Sequence, residues 1–149
     1  MNKELKNRLL IVFLSIALLV IAIILMLLPN SYITFTTRVN SEGGSARFYD
    51  SYNYVAIEPF GVGNITPMFT FVLTVASLII FIIRAFKPQL LRTPSVIIPF
   101  VAFLISLVHL LFAGDVNVVT VQGILVSASL ISVGGINILD TISNNSSAQ

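Results

Sequence analysis

The 149-residue chain contains no cysteine and little charge, since Asp, Glu, Lys and Arg together make up only 9% of it. The absence of cysteine excludes disulfides, thiolate metal ligands and cysteine nucleophiles, and it leaves the redox compartment open. Hydrophobic residues make up 56% of the chain and the mean hydropathy is +1.00, both well outside the composition of soluble domains. The sequence therefore predicts a membrane protein.

Motifs that carry chemistry are also missing from the sequence. It has no HExxH motif, no glycine-rich phosphate loop, no nucleophile motif and no pair of carboxylates inside an apolar run. The acidic residues of the predicted outer loops lack the spacing of an EF-hand. We therefore expect a protein that is not an enzyme and that holds no cofactor and no metal ion.

Four apolar segments are long enough to cross a bilayer, whose hydrocarbon is about 30 Å thick and requires about 20 residues of helix. They lie near Leu9–Leu28, Pro67–Phe86, Pro94–Ala113 and Val119–Leu139. Together they occupy more than half of the chain and leave no room for a soluble catalytic domain. We predict an all-α membrane protein whose single domain, residues 1–149, is a bundle of four transmembrane helices.

Basic residues flank these segments and predict the orientation of the chain. Six of the eight lysines and arginines lie on one side of the predicted membrane: Lys3, Lys6, Arg8, Arg84, Lys87 and Arg92. By the positive-inside rule this side is cytoplasmic and holds both termini. Because the basic residues form no single patch, we expect no nucleic-acid partner. Arg84 lies within a turn of the end of its apolar run, and we expect its side chain to extend to the membrane interface.

The segment Ser31–Thr66 is the only long part of the chain that could not sit in lipid, and it contains all four tyrosines. Ser31–Val39 and Ala46–Ile57 are rich in β-branched and aromatic residues, and Asn40–Gly44 between them has turn chemistry. We predict a small extracellular antiparallel β-hairpin between the first two helices. A lone hairpin is marginal in water, so we expect it to lie on the bundle as a cap, a role that we favour over ligand binding.

The run PFGVGNITPMFTFVLTVASLIIFI leads from this loop into the second helix. It resembles the start of that helix in small four-helix membrane proteins of low-GC Gram-positive bacteria. The resemblance implies a bacterial cytoplasmic membrane and no activity, because the function of those proteins is not known. The order of one helix, a β-rich outer loop and three helices also resembles claudin-type tetraspans. The paired cysteines and the tryptophan of the claudin loop are missing, which limits that likeness to architecture.

Small and weakly polar residues recur at helical spacing and predict contacts between helices. The fourth helix carries them on two faces, so we expect it to lie in the middle of the bundle or at a surface for self-association. The residues expected to pack helix against helix are Thr70, Thr74, Ser77, Ala102, Gly123, Ser127, Ser132 and Gly134.

His109 is the only ionisable group that the sequence predicts well inside a helix, roughly 7 Å below its outer end. An unpaired imidazole in hydrocarbon is costly, so we expect a partner. Ser106, Asp115, a loop tyrosine and a hydroxyl of the fourth helix are the alternatives. A neutral, hydrogen-bonded histidine is favoured over a proton relay or a pH-sensitive latch. His109, Ser106 and Asp115 are therefore the candidate binding or relay residues.

Two classes of function remain open. The first is a non-enzymatic accessory, assembly or interaction subunit that presents the aromatic loop to a partner membrane protein or to further copies of itself in the lipid bilayer. The second is a small oligomeric transporter or pore lined by the third or fourth helix, and its support is His109 together with Ser106, Ser127 and Ser132. Proton-coupled carriers usually hold an acidic residue in mid-membrane, so the sequence favours the first class.

Overall fold

A computed structural model describes most of the chain, and the statements below concern the residues that it describes. The backbone is described for residues 3–39, 43, 45–56, 65–87, 90–112 and 120–146. Within these ranges, the following side chains lie outside the description: residues 3–5, 32–39, 45–50, 65, 108–112 and 143–146.

Four helices and two strands make up the regular structure of this part of the chain. In chain order they are α1 (Lys3–Leu27), β1 (Tyr32–Val39), β2 (Ser45–Tyr52), α2 (Ile65–Phe86), α3 (Pro94–Phe112) and α4 (Val121–Ser146). The prediction of an all-α protein with four helices is confirmed. Helices α1 and α4 extend beyond the predicted apolar segments, because the polar residues at their ends continue the helix.

Three of the helices are long and apolar enough to cross a membrane: Lys6–Leu27, Thr66–Phe86 and Val121–Ile142. Their length and composition indicate a membrane protein, as predicted. In α3 the apolar stretch with described side chains, Pro94–Leu107, is shorter than a span. The predicted count of four crossings and the predicted location of the termini therefore stay predictions.

Strands β1 and β2 pair antiparallel, from Tyr32 opposite Tyr52 to Val39 opposite Ser45. Two strands alone form a ribbon and not a sheet that could cover a core, so the helices determine the fold class. Of the turn predicted at Asn40–Gly44, only Gly43 is described, and its φ of 79° is a conformation that suits glycine. A β-hairpin that folds as a unit on the outer face stays a prediction.

The helices are arranged in a ring, since α1 and α3 each pack against both α2 and α4. The bundle is filled by buried apolar side chains from all four helices, among them Leu19 of α1, Phe81 of α2, Ala102 of α3 and Leu130 of α4. Large apolar side chains also cover the outside, as expected for a surface in lipid: Phe13, Phe69, Ile79, Ile97 and Ile124 are about half exposed or more.

Polar contacts fix the connections at one end of the bundle. The carbonyl of Met26, in the last turn of α1, accepts hydrogen bonds from Ser31 Oγ (3.1 Å) and from the backbone N–H of Tyr54 (3.0 Å). Thr120 Oγ1 donates to the carbonyl of Ser31 (2.8 Å) and accepts from the N–H of Gly123 (3.0 Å), which caps α4. We call this end of the bundle the loop end.

Candidate functional site

The opposite end of the bundle holds Arg84 and Arg92, and we call it the basic end. Arg84 lies in the last turn of α2, yet the residue is only 5% exposed. The prediction that its side chain extends to the membrane interface is wrong. Side chains in a helix tilt toward its N-terminus. In α2 the N-terminus is at the loop end, so the arginine side chain is directed into the bundle.

The guanidinium of Arg84 contacts four other helical residues. Its Nη1 donates to Ser95 Oγ of α3 (2.7 Å) and to Asn137 Oδ1 of α4 (2.9 Å). Its Nη2 lies 3.7 Å from Asp140 Oδ2 of α4, and both side chains of this ion pair are at most 10% exposed. The ring centroid of Phe81, one turn earlier in α2, is 5.6 Å from Cζ, close enough for a cation–π contact.

Asn137 connects this arginine to the first helix. The asparagine is 1% exposed, and its Nδ2 donates to Ser15 Oγ of α1 (3.0 Å) and to the carbonyl of Val133 in its own helix (2.8 Å). Ser95 Oγ in turn donates to the carbonyl of Arg92 (2.6 Å). We call the five side chains that meet here the polar cluster, and all four helices contribute to it: Ser15, Arg84, Ser95, Asn137 and Asp140.

The chemistry of the polar cluster is that of a buried charge with protein partners. A guanidinium stays protonated in proteins, and burying it is costly unless a counter-charge and hydrogen bonds replace water. Asp140 supplies the counter-charge, and Ser95 and Asn137 accept hydrogen bonds. Nε of Arg84 is buried with no hydrogen-bond partner in the described part of the chain. Because side chains from all four helices meet in this cluster, the arrangement can hold the helices in one register.

Of the predicted candidate residues, Ser106 and the backbone of His109 are described, and both lie in the half of α3 nearer the loop end. Ser106 Oγ donates to the carbonyl of Phe103 (2.7 Å) and is 2.8 Å from Ser127 Oγ, which joins α3 to α4. His109 lies in α3, but its side chain is outside the described residues, and Asp115 is outside them entirely. A relay role for these residues therefore stays a prediction.

Most of the residues predicted to pack helix against helix are buried. Buried are Thr70, Thr74, Ser77, Ala102, Gly123, Ser127 and Gly134. Ser132 is exposed, and its hydroxyl donates to the carbonyl of Ala128 in its own helix (2.7 Å). A Cβ added to Gly134 would meet no atom within 4 Å, so the described residues show no close approach of another helix at this glycine.

Sequence reasoning missed Asn137 and Asp140, and with them the contacts that they make with Ser15 and Arg84. A signal was present, because Asn137 is an amide inside an apolar run, and such a group requires a hydrogen-bond partner in lipid. Asp140 follows at i+3, on the same face of the helix. Arg84 lies in another apolar run. Arg84 and Asp140 could therefore have been predicted as an ion pair, with Asn137 as a hydrogen-bond partner of the arginine.

No metal centre accompanies the polar cluster within the described ranges, where no group of three His, Cys, Asp or Glu side chains could hold an ion. Neither a family model, nor a curated protein, nor a solved structure matches the chain. The resemblance to small bacterial four-helix proteins stays a prediction.

Proposed function

We propose that the protein is a non-enzymatic accessory or assembly subunit of a bacterial cytoplasmic membrane that presents its aromatic outer loop, Ser31–Thr66, to a partner membrane protein. The observation that carries this proposal is the fixed base of the loop. Ser31 and Tyr54 both hydrogen-bond to Met26 of α1, and Thr120 ties Ser31 to the start of α4. A segment held in place before binding loses less conformational entropy on recognition.

The proposal includes four crossings with both termini in the cytoplasm. Helix α3 has 19 residues and would be about 28 Å long at 1.5 Å per residue, close to the thickness of bilayer hydrocarbon. It packs against α2 and α4, both of which are long enough to span. The basic residues at the ends of α1, α2 and α3 support the cytoplasmic location of the basic end.

A transporter or pore lined by α3 or α4 is the competing function, and the described interior gives it less support. Buried apolar side chains such as Val126, Leu130 and Val133 of α4 fill the bundle. Ser106 and Ser127 hydrogen-bond to each other. A pore would therefore require several copies, with outward faces such as that of Ser132 as its lining.

Purification of a tagged protein in mild detergent tests the proposal. Residues 33–50 are replaced by a short Gly-Ser linker, which leaves Ser31 and Tyr54 in place. We expect the wild type to retain one stoichiometric membrane partner and the loop variant to lose it, while the helical melting curve stays the same. Ile124→Ala is the matched control, because Ile124 is half exposed on the outer face of α4, and it should retain the partner.

Two results would contradict this function. One is equal recovery of the partner by the loop variant and the wild type. The other is a solute flux in proteoliposomes of the purified protein that His109→Gln abolishes, which would establish the transporter instead.

A further inference from the structure

A groove of about 250 Å³ runs between α3 and α4 at the basic end. Its wall is apolar and consists of Val96 and Ile97 from α3 and of Ile138 and Ile142 from α4. Arg92, two residues before α3, supplies its charge, and Thr93 and Thr141 also line it. The groove therefore combines a long apolar surface with a cation at one end.

The apolar wall of the groove faces outward. Ile97 is 52% exposed and Ile142 is 60% exposed, and both belong to helices of the bundle surface. In a membrane an apolar surface at this depth is covered by lipid acyl chains, because water is excluded from the hydrocarbon. An occupant supplied by the bilayer fits this wall, whereas a small hydrophilic solute would leave it bare.

Arg92 gives the groove a positive charge, and one of its guanidinium nitrogens lacks an acceptor in the part of the chain that the structure describes. Its Nη2 is buried and has no hydrogen-bond partner among the described residues. The connection Lys87–Thr93 contains no acidic residue, and the carboxylate of Asp140 lies 3.7 Å from Arg84. A buried guanidinium donor without an acceptor is costly, and a phosphate oxygen is the acceptor that its fork-shaped geometry suits best.

The start of α3 does not itself supply donors for an anion. The N–H of Ser95 already donates to the carbonyl of Leu91 (3.0 Å), and those of Val96 and Ile97 donate to the carbonyl of Thr93 (both 3.1 Å). Recognition of an anion must therefore come from side chains, and Arg92 is the charged side chain that lines the groove.

We propose that this groove binds an anionic phospholipid of the leaflet at the basic end, with the phosphate against Arg92 and one acyl chain along the isoleucines of α3 and α4. A pocket between helices that joins basic side chains at the headgroup level to an apolar wall is suited to an anionic lipid. A zwitterionic lipid adds a cation near Arg92 and Lys87, where no acidic residue of the connection could balance it.

Lipid-dependent melting of the purified protein tests the site. The protein is held in a neutral detergent, and its unfolding is followed by far-UV circular dichroism with added phosphatidylglycerol or with phosphatidylcholine of the same acyl chains. We expect phosphatidylglycerol to raise the midpoint in a saturable way and phosphatidylcholine to raise it far less. Inorganic phosphate alone should have no effect, because it leaves the apolar wall uncovered.

Two variants locate the effect. Arg92→Gln should weaken phosphatidylglycerol binding at least ten-fold, whereas Lys6→Gln should bind like the wild type, because Lys6 is an exposed cation of the same end that does not line the groove. Equal losses in both variants, equal stabilisation by the two lipids, or stabilisation by phosphate would overturn the proposal.

A variant with Arg92 intact covers the case in which Arg92→Gln does not fold. Ile97→Trp places a larger side chain in the groove without changing its charge. Native mass spectrometry should show one phosphatidylglycerol retained by the wild type and lost by this variant. Retention of the lipid by Ile97→Trp would place it elsewhere on the surface and refute the site.

Discussion

A double-mutant cycle on Arg84 and Asp140 measures how strongly the polar cluster depends on its charges. Arg84→Met removes the cation while retaining an unbranched side chain, and Asp140→Asn removes the counter-charge at constant shape. The pair is nearly buried, and its closest described atoms are 3.7 Å apart. Removing one member of a buried ion pair costs more stability than the pair itself contributes, because the remaining charge stays buried.

The expected free energies follow from the contacts. Breaking a buried pair by removing one partner costs about 3–5 kcal/mol, and the long separation favours the lower end, so we expect Arg84→Met to cost about 3 kcal/mol. Asp140→Asn should cost about 1–2 kcal/mol, because Arg84 retains its hydrogen bonds to Ser95 and Asn137. The double variant removes both charges, and we expect its loss of stability to be smaller than the sum of the two single losses by about 1 kcal/mol or more.

Circular dichroism is the suitable assay, because the chain contains no tryptophan for fluorescence and no cysteine for thiol-reactive dyes. Loss of helix is followed as a denaturing detergent is titrated into mild micelles, and the midpoint and slope of each transition give the free energy of unfolding. Ile79→Leu, on the exposed face of α2, is the control and should change stability by less than about 0.5 kcal/mol. A double variant whose loss equals the sum of the two single losses would refute this account of the ion pair.

Three further predictions concern the orientation of the chain and the α3–α4 contact. Because the chain has no native cysteine, Ser45→Cys should react with an impermeant thiol reagent from outside and Ser146→Cys only from inside; labelling of both from one side would contradict the topology. Ser127→Leu should lower stability by about 1–3 kcal/mol through overpacking and a lost hydrogen bond. Ile124 is half exposed, so Ile124→Leu should be nearly neutral in the same titration. Equal losses in the two variants would be inconsistent with the buried position of Ser127. His109→Gln should leave the melting curve unchanged between pH 5 and 8, and a variant that loses a pH-dependent activity would favour the relay role.

The helices could be predicted because lipid demands long apolar runs, and these are visible in composition alone. The ends of the helices were predicted less accurately. The polar residues around Lys3 and Asn144 continue α1 and α4, and apolar periodicity gives no signal there. The packing of small residues was predictable only by type. Gly134 permits a close approach of another helix, but nothing in its sequence neighbourhood forces one, and the ring arrangement leaves space there.

The contact of the polar cluster with α1 could not be predicted from local patterns. Ser15 and Asn137 are separated by 122 positions, and their contact depends on α1 and α4 being neighbours in the ring. The direction of Arg84 was open to prediction from the tilt of helical side chains. An arginine extends to the membrane interface where the tilt of its side chain points out of the membrane, as at the N-terminus of α1. Where the tilt points into the membrane, as at the C-terminal end of α2, this expectation is wrong.

The polar cluster at the basic end and the base of the outer loop both depend on the register of α4. Between apolar helices in lipid, hydrophobic burial does not select a register, and a shift of α4 by one turn, about 5.4 Å, would keep most apolar contacts. Such a shift would move Asn137 out of reach of Ser15 and Arg84, which it contacts at 3.0 and 2.9 Å. It would equally break the bond from Thr120 to Ser31 at the loop end. Hydrogen bonds near both ends of α4 therefore select one register, and the loop has a defined base only in that register.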